Sequence, residues 1–339
     1  MWYTAAMDWK DDLINWYTAS HRDLPWRGTR DPYRIWLSEI MLQQTRVAAV
    51  VPYYERFLSE LPTVAALAGA DDDRLLKLWQ GLGYYSRAKN LKRAAMLIES
   101  EYEGRVPDRY EKLIKLPGIG SYTAGAIASI AFGERVPAVD GNVLRVMARK
   151  NADPRDIADP RTKDAVFSEL KQQMPSDPGT FNQAMMELGA CVCVPNGEPL
   201  CNRCPIQKHC KAYRTNAVSS YPNKSKKPKR TIEQMTVFVL KKGDAFLIRK
   251  RPEEGLLGGL YELPNLPGRL TPMDAADAIG AMGLQAIGPI AQVERKHLFT
   301  HREWQMRVFA VETEGDAPNG LLWYDGTQSL PTAFRICIF

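Results

Sequence analysis

The chain is predicted to hold an α domain followed by a smaller α+β domain. Three features predict it. Apolar residues recur at helical spacing through the first 215 residues. A Lys-, Ser- and Pro-rich stretch then breaks that pattern. Beyond it, runs of β-branched and aromatic residues flank tight-turn residues. A length of 339 residues suits two domains. The expected boundaries are 1–218 for the helical domain, 219–232 for a linker and 233–339 for the second domain.

Trp9, Leu13, Trp16 and Tyr17 fall at i, i+4, i+7 and i+8, one face of a helix. Asp31-Pro32 puts an N-cap before a proline at the first helical position, opening a helix through IWLSEIMLQQ. Residues 47–61, 74–79, 87–102, 110–116 and 162–174 continue the helical spacing. The stretch SSYPNKSKKPKR, 219–230, reads as a solvated spacer. MTVFVLKKGDAFLIRKR reads as two strands around a Lys-Gly-Asp turn, and HLFTHREWQMRVFAVET as another pair. Residues 271–282 read as a helix.

The net charge of +6 is uneven: 34 Lys and Arg against 26 Asp and Glu up to residue 230, then 11 against 13. The basic excess sits in the helical part, as expected of a part that meets a polyanion. No apolar stretch reaches the ~18 residues of a membrane span. The start, MWYTAAMDWKDDL, lacks the basic-then-apolar order of a signal peptide. A cytoplasmic location is expected, nucleoid-associated in a bacterium, where thiols stay reduced.

Five of the six cysteines lie between Cys191 and Cys210. Cys193, Cys201, Cys204 and Cys210 have the spacing C-x7-C-x2-C-x5-C, which reads as a tetrathiolate metal site. Zinc ribbons usually present two C-x2-C knuckles well apart, and only one such pair exists here. One compact loop fits a [4Fe–4S] cluster better than zinc. Cys191 reads as a spare core thiol or a substitute for Cys193, and Cys337 as structural or incidental.

In LPGIGSYTAGAI, residues 116–127, Gly118 and Gly120 are expected to form a tight turn with positive φ. The turn leads into a helix whose free N–H groups can take a phosphate. This order is a helix–hairpin–helix signature over 113–132, a grip on the DNA backbone that ignores sequence. Asp140 follows in VDGNVLRV. Alone, an Asp before a helix is an N-cap. Between the hairpin and the cysteine loop it reads as catalytic.

The hairpin, the Asp of VDGNV and the cysteine loop together resemble the endonuclease III superfamily of DNA glycosylases. WLSEIMLQQTRVAAVVPYYERF, DLPWR, QGLGYYSRA and FNQAMMELGA narrow the resemblance to the adenine DNA glycosylases, over nearly the whole chain. Bifunctional relatives carry a Schiff-base Lys in the helix after the hairpin. Here Ser121-Tyr122 stand at that place, and no Lys follows until Lys150. The resemblance implies a monofunctional enzyme that flips out adenine mispaired with 8-oxoguanine or guanine in duplex DNA and cuts its glycosidic bond. It implies a helix–hairpin–helix glycosylase fold with a [4Fe–4S] loop at 193–210, and a Nudix-like second domain.

By that resemblance Glu39 is the general acid, its pKa raised among Trp36, Leu37, Ile40 and Met41. An ionised Asp140 stabilises an oxocarbenium-like sugar, and Tyr122 assists there. Trp26, Leu42 and Gln183 line the adenine pocket, with Arg22 and Arg27 in support. Gln44 and Tyr84 wedge into the duplex, while Gly118, Gly120, Ser121 and Thr123 hold its backbone. Phe299, Thr300 and His301 read 8-oxoguanine. Nudix hydrolases hold divalent metal on a Glu-dense helix. TPMDAADAIGAMG offers only Asp274 and Asp277, so a recognition module is expected.

Two departures stand out. The first cysteine gap is seven residues rather than six, and the extra residue in VPNGEPL is expected to bulge outward. The ending PTAFRICIF follows the family only to Arg335, so the last residues are expected to be altered or truncated. Monomeric action is the default. Rival readings are a lyase for oxidised pyrimidines, a nucleotide pyrophosphatase and a non-enzymatic cluster protein.

Overall fold

The computed structural model describes residues 8–225 and 229–339. Residues 1–7, and 226–228 of the expected linker, lie outside them. The chain forms two compact units: Met1–Gly69 with Asn90–Lys226, and Ala70–Lys89 with Lys227–Phe339.

The first unit is helical. Its elements are α1 (Trp9–Ser20), α2 (Pro32–Leu42), α3 (Val47–Glu60) and α4 (Val64–Ala68). After α5 (Asp72–Leu78), which lies in the second unit, α6 (Ser86–Glu101) returns to the first. Then come α7 (Tyr110–Leu113), α8 (Ser121–Phe132), α9 (Gly141–Asn151), α10 (Pro160–Gln172), α11 (Pro178–Cys191) and α12 (Lys211–Arg214). Asp31 caps α2 by accepting the Tyr33 N–H at 2.9 Å. The same Asp-Pro signal opens α10 at Asp159-Pro160 and α11 at Asp177-Pro178. Leu13, Val143, Met147, Val166, Leu170, Phe181 and Leu188 join α1, α9, α10 and α11 in one buried core. Each such side chain contributes ~1.5–3 kcal/mol when fully buried. α2 packs against α3 and α8, which sets its buried face beside the hairpin.

Ser219, Ser220 and residues 223–225 of the spacer are exposed, as expected of a solvated stretch, and the spacer is also tied to the helical unit. Ile157 donates its N–H to Asn223 O (3.0 Å), and Asn223 Nδ2 donates to Pro154 O (2.7 Å).

The second unit holds β1 (Thr231–Lys242), β2 (Ala245–Lys250), β3 (Tyr261–Glu262), β4 (Asn265–Pro267), α13 (Pro272–Ala281), β5 (Gln285–Leu298), β6 (Arg302–Glu314), β7 (Leu322–Trp323) and α14 (Thr332–Arg335). The sheet order is β3-β2-β1-β6-β5, with β4 on β1 and β7 on β2. β1 and β6 run parallel, Thr231 opposite Arg302 and Lys241 opposite Glu312. Alternate residues of β1 serve opposite faces. Val237 and Val239 enter a core with Met306 and Phe334, and Phe238 and Leu240 enter another with Ile279 of α13. Cys337 is buried in the first of these cores, so of its two expected readings the structural one holds. Residues 70–89 join this unit through Asp73 to Lys250 (3.3 Å) and Tyr261 (3.2 Å), and through Ser329 Oγ to Leu76 O (3.1 Å).

Candidate active site and cysteine loop

Glu39 sits on the buried face of α2, 6% exposed. Tyr122, the second residue of α8, donates its hydroxyl to Glu39 Oε2 at 2.6 Å. Burial pushes the Glu39 carboxyl up to about 7. The Tyr122 bond and Arg27 pull it down, and the neighbouring Asp140 charge pushes it up. Burial and the two carboxylates hold the Tyr122 phenol well above its ordinary value, so it is a neutral donor.

Asp140 is the N-cap of α9, as its bland reading foresaw. Its Oδ1 accepts the N–H groups of Asn142 (2.9 Å) and Val143 (2.8 Å), and its Oδ2 accepts Asn142 Nδ2 (2.7 Å). Burial raises the Asp140 pKa, while these three bonds and Arg145 pull against it. A cap does not preclude catalysis: it fixes the carboxylate and favours its charged form.

Glu39, Tyr122 and Asp140 line one pocket of about 490 Å³ in the first unit, together with Trp26, Leu42, Gln44, Gln183, Arg22 and Arg27. Trp26 stands edge-on to Tyr54 at 5.4 Å, which fixes its ring. Gln183 Oε1 accepts the Tyr17 hydroxyl at 3.1 Å. The residues expected around an adenine therefore do converge.

Glu187, Asn142 and Met186 also line the pocket and were not anticipated. Glu187 accepts a forked pair of bonds from Arg22, Nε (2.8 Å) and Nη2 (2.7 Å), and one from Arg27 Nη2 (2.6 Å). Burial alone would raise this carboxyl, but the two guanidinium groups outweigh it and hold Glu187 at about 2. Asn142 holds Asp140, and Met186 places its sulfur 2.9 Å from the Tyr122 hydroxyl. A signal for Glu187 existed: it lies in FNQAMMELGA, one acid among apolar residues, where two arginines elsewhere await a partner.

At the hairpin, Gly118 has φ +75°, and a Cβ there would stand 2.7 Å from Asn90 Cβ. Gly120 departs from expectation. Its backbone is extended (φ −91°, ψ 178°), and it serves as the N-cap of α8. No side chain caps α8, and its first backbone bond runs from the Ala124 N–H to Gly120 O. The N–H groups of Ser121, Tyr122 and Thr123 thus precede the helical ladder, the arrangement that accepts an anion. The Thr123 side chain is 2% exposed and accepts Gln43 Nε2 at 3.4 Å, so it is the Thr123 backbone that suits a phosphate. Gln44 (φ 58°) and Tyr84 (φ 48°) both hold left-handed backbone, uncommon outside glycine and often a mark of function.

In the second unit, Phe299, Thr300 and His301 form the turn from β5 to β6. The Thr300 hydroxyl meets the Tyr84 hydroxyl at 2.9 Å, and His301 is exposed.

Cys193, Cys201, Cys204 and Cys210 all line one small cavity of about 30 Å³, beside Val192, Tyr213 and Arg149. Arg149 Nη1 stands 3.2 Å from Cys193 Sγ. Among the described residues no three His, Cys, Asp or Glu are placed to hold a single metal ion. Four thiols lining one cavity are the donor set of a tetrathiolate iron–sulfur cluster, and a neighbouring guanidinium suits its negative charge. Without metal, burial pushes the Cys204 thiol up to about 12. Residues 195–198 are exposed, so the longer gap does bulge outward. Cys191 does not line that cavity and interacts with Glu187 and Arg22.

Residues 37–175 match the model of the HhH-GPD superfamily base excision DNA repair protein, and residues 236–337 match the NUDIX domain. The adenine DNA glycosylase of Arabidopsis thaliana is 41% identical over 75% of this chain, which spans 46% of that relative's length. The adenine DNA glycosylase of Mus musculus is 34% identical over 93% of this chain and 73% of its own. A solved thermostable thymine-DNA glycosylase superposes with a TM-score of 0.55 at 28% identity, covering 61% of this chain and 95% of that one.

Proposed function

The chain belongs to the adenine DNA glycosylase family, hydrolases of base excision repair, and from that premise we propose that it excises adenine mispaired with 8-oxoguanine or guanine. The observation that carries this is two carboxylates in one pocket under different constraints. Glu39 is buried with a pKa of about 7, and Asp140 accepts three N–H bonds. Environments that push two carboxylates apart assign one the acid and the other the anion.

An adenine flipped into the pocket takes a proton from Glu39 as its bond to the sugar breaks. The bond's electron pair leaves with the base. Asp140 keeps its charge beside the cationic sugar, and water then supplies the hydroxyl of the abasic site while its proton returns to Glu39. Tyr122 holds Glu39 in place through its hydroxyl. Glu187 fixes Arg22 and Arg27 at the pocket wall. Gln44 and Tyr84 would enter the duplex, and the uncapped start of α8 would hold a phosphate.

Cys193, Cys201, Cys204 and Cys210 would hold a [4Fe–4S] cluster, whose role when bound is to cross-link the loop and provide a redox-capable centre. The purified protein should then be yellow-brown, with about four irons. Residues 233–339 would read 8-oxoguanine rather than hydrolyse nucleotides. In α13, Asp274 is engaged by Thr271 Oγ1 at 2.7 Å as part of a helix cap, which leaves little for a metal.

Excision is to be measured on duplexes with one A opposite 8-oxoguanine, G or T. The expected order is 8-oxoguanine above G, with nothing from A:T. Equal excision from all three would contradict the reading.

A further inference from the structure

The turn Phe299–Arg302 is held by the residues that leave the linker. Arg230 Nε donates to Phe299 O at 2.8 Å, and the Thr231 N–H donates to His301 O at 3.0 Å. The Phe299 N–H closes the hairpin on Arg302 O at 2.9 Å. Two residues along β1, Glu233 takes the Arg302 guanidinium on one oxygen and the Trp304 indole N–H (2.8 Å) on the other. The parallel register explains the reach, since it sets Thr231 opposite Arg302 and Glu233 opposite Trp304. The Trp304 ring stands edge-on to the Phe299 ring at 4.7 Å, and His297 closes on Phe299 from 4.6 Å.

Glu233 and Arg302 are 34% and 52% exposed as a pair, and an ion pair so exposed adds little stability. What it can do is orient. With the carbonyls of Phe299 and His301 occupied and the Phe299 ring wedged, the turn has one main-chain conformation to offer. Thr300 and His301 are then presented without loss of conformational freedom on binding.

We propose that Arg230 and Glu233 are positioning residues for this turn, linking the end of the linker to the fidelity of base reading. The proposal rests on the assignment of Phe299–His301 to 8-oxoguanine. The test uses the full chain and compares single-turnover excision rates on A:8-oxoguanine and A:G. The variants are Glu233→Ala, Glu233→Gln, Arg230→Ala and His301→Ala. The ratio of the two rates is expected to fall about five-fold or more in Glu233→Ala and Arg230→Ala. Glu233→Gln should recover part of it, because its amide oxygen still accepts the Trp304 indole. If His301→Ala lowers the ratio while Arg230→Ala and Glu233→Ala keep it, the positioning role is wrong and the reading stands. If all keep it, the reading falls and the proposal with it. Equal losses on both substrates would mean a merely structural role and would overturn the proposal.

Discussion

The proposed base pocket of the helical unit and the proposed reading turn of the sheet unit would solve opposite problems. In the pocket, Glu39 and Glu187 are buried and the charged groups answer one another: Glu39 to Tyr122, Glu187 to Arg22 and Arg27, Asp140 to Asn142 and the start of α9. In the turn, the main chain is tied down while Thr300 and His301 stay near the surface. The difference teaches where each task can be done. Moving a proton to a leaving base near neutral pH needs a carboxyl held well above its ordinary value, which burial chiefly supplies here, with the Asp140 charge beside it. Telling one base edge from another needs a fixed but accessible hydrogen-bonding edge.

Substitutions can break either half separately. Glu39→Gln keeps the shape of the pocket and removes the proton, so excision should fall ~10² to 10⁴-fold while mismatch binding persists. Near-normal excision by that variant would remove Glu39 from its role. His301→Ala should leave the pocket intact and lower the preference for 8-oxoguanine over guanine about ten-fold, the worth of one base-edge contact of ~1–3 kcal/mol. A retained preference would place the reader elsewhere.

Glu187→Gln probes the electrostatics of the pocket wall. The native carboxyl is held near 2, below its ordinary 4.5, so its stabilising effect is present above the ordinary value and lost as pH falls toward 2. Unfolding by denaturant near neutral pH should show a loss of about 1.5–3 kcal/mol in the variant, and a smaller gap in acid. A pH-independent gap would mean that Glu187 acts by packing. Tyr122→Lys should give a small gain, weak borohydride-trappable lyase activity, since α8 fixes that side chain beside Glu39 and Asp140. Strong trapping by the native chain would mean that another lysine already serves.

Much of the scaffold was legible because its signals are local. Asp31-Pro32 announces α2, and Lys-Gly-Asp announces the turn between β1 and β2. Gly118 announces the hairpin. Asp140 was legible as a cap, which it is, and it also lines the pocket that holds Glu39. The rest depends on partners far apart in the chain. Arg22 and Glu187 meet across 165 positions, and no periodicity links them. Gly120 was misjudged because a capping glycine and a left-handed one look alike in a sequence. The grouping of residues 70–89 with the sheet unit rests on single contacts such as Asp73 with Tyr261, invisible before folding.

The central claim is that Glu39, with a pKa of about 7, delivers the proton. A single-turnover pH–rate profile on A:8-oxoguanine, taken between about pH 5.5 and 8.5, tests it most directly. The acid form is present below the pKa and lost above it, so the native rate should hold at low pH and fall through pH 7, nearing ten-fold per unit. The Glu39→Gln rate should be low and flat. A native rate that stays level to high pH, or a Gln variant that keeps the same inflection, would contradict the account.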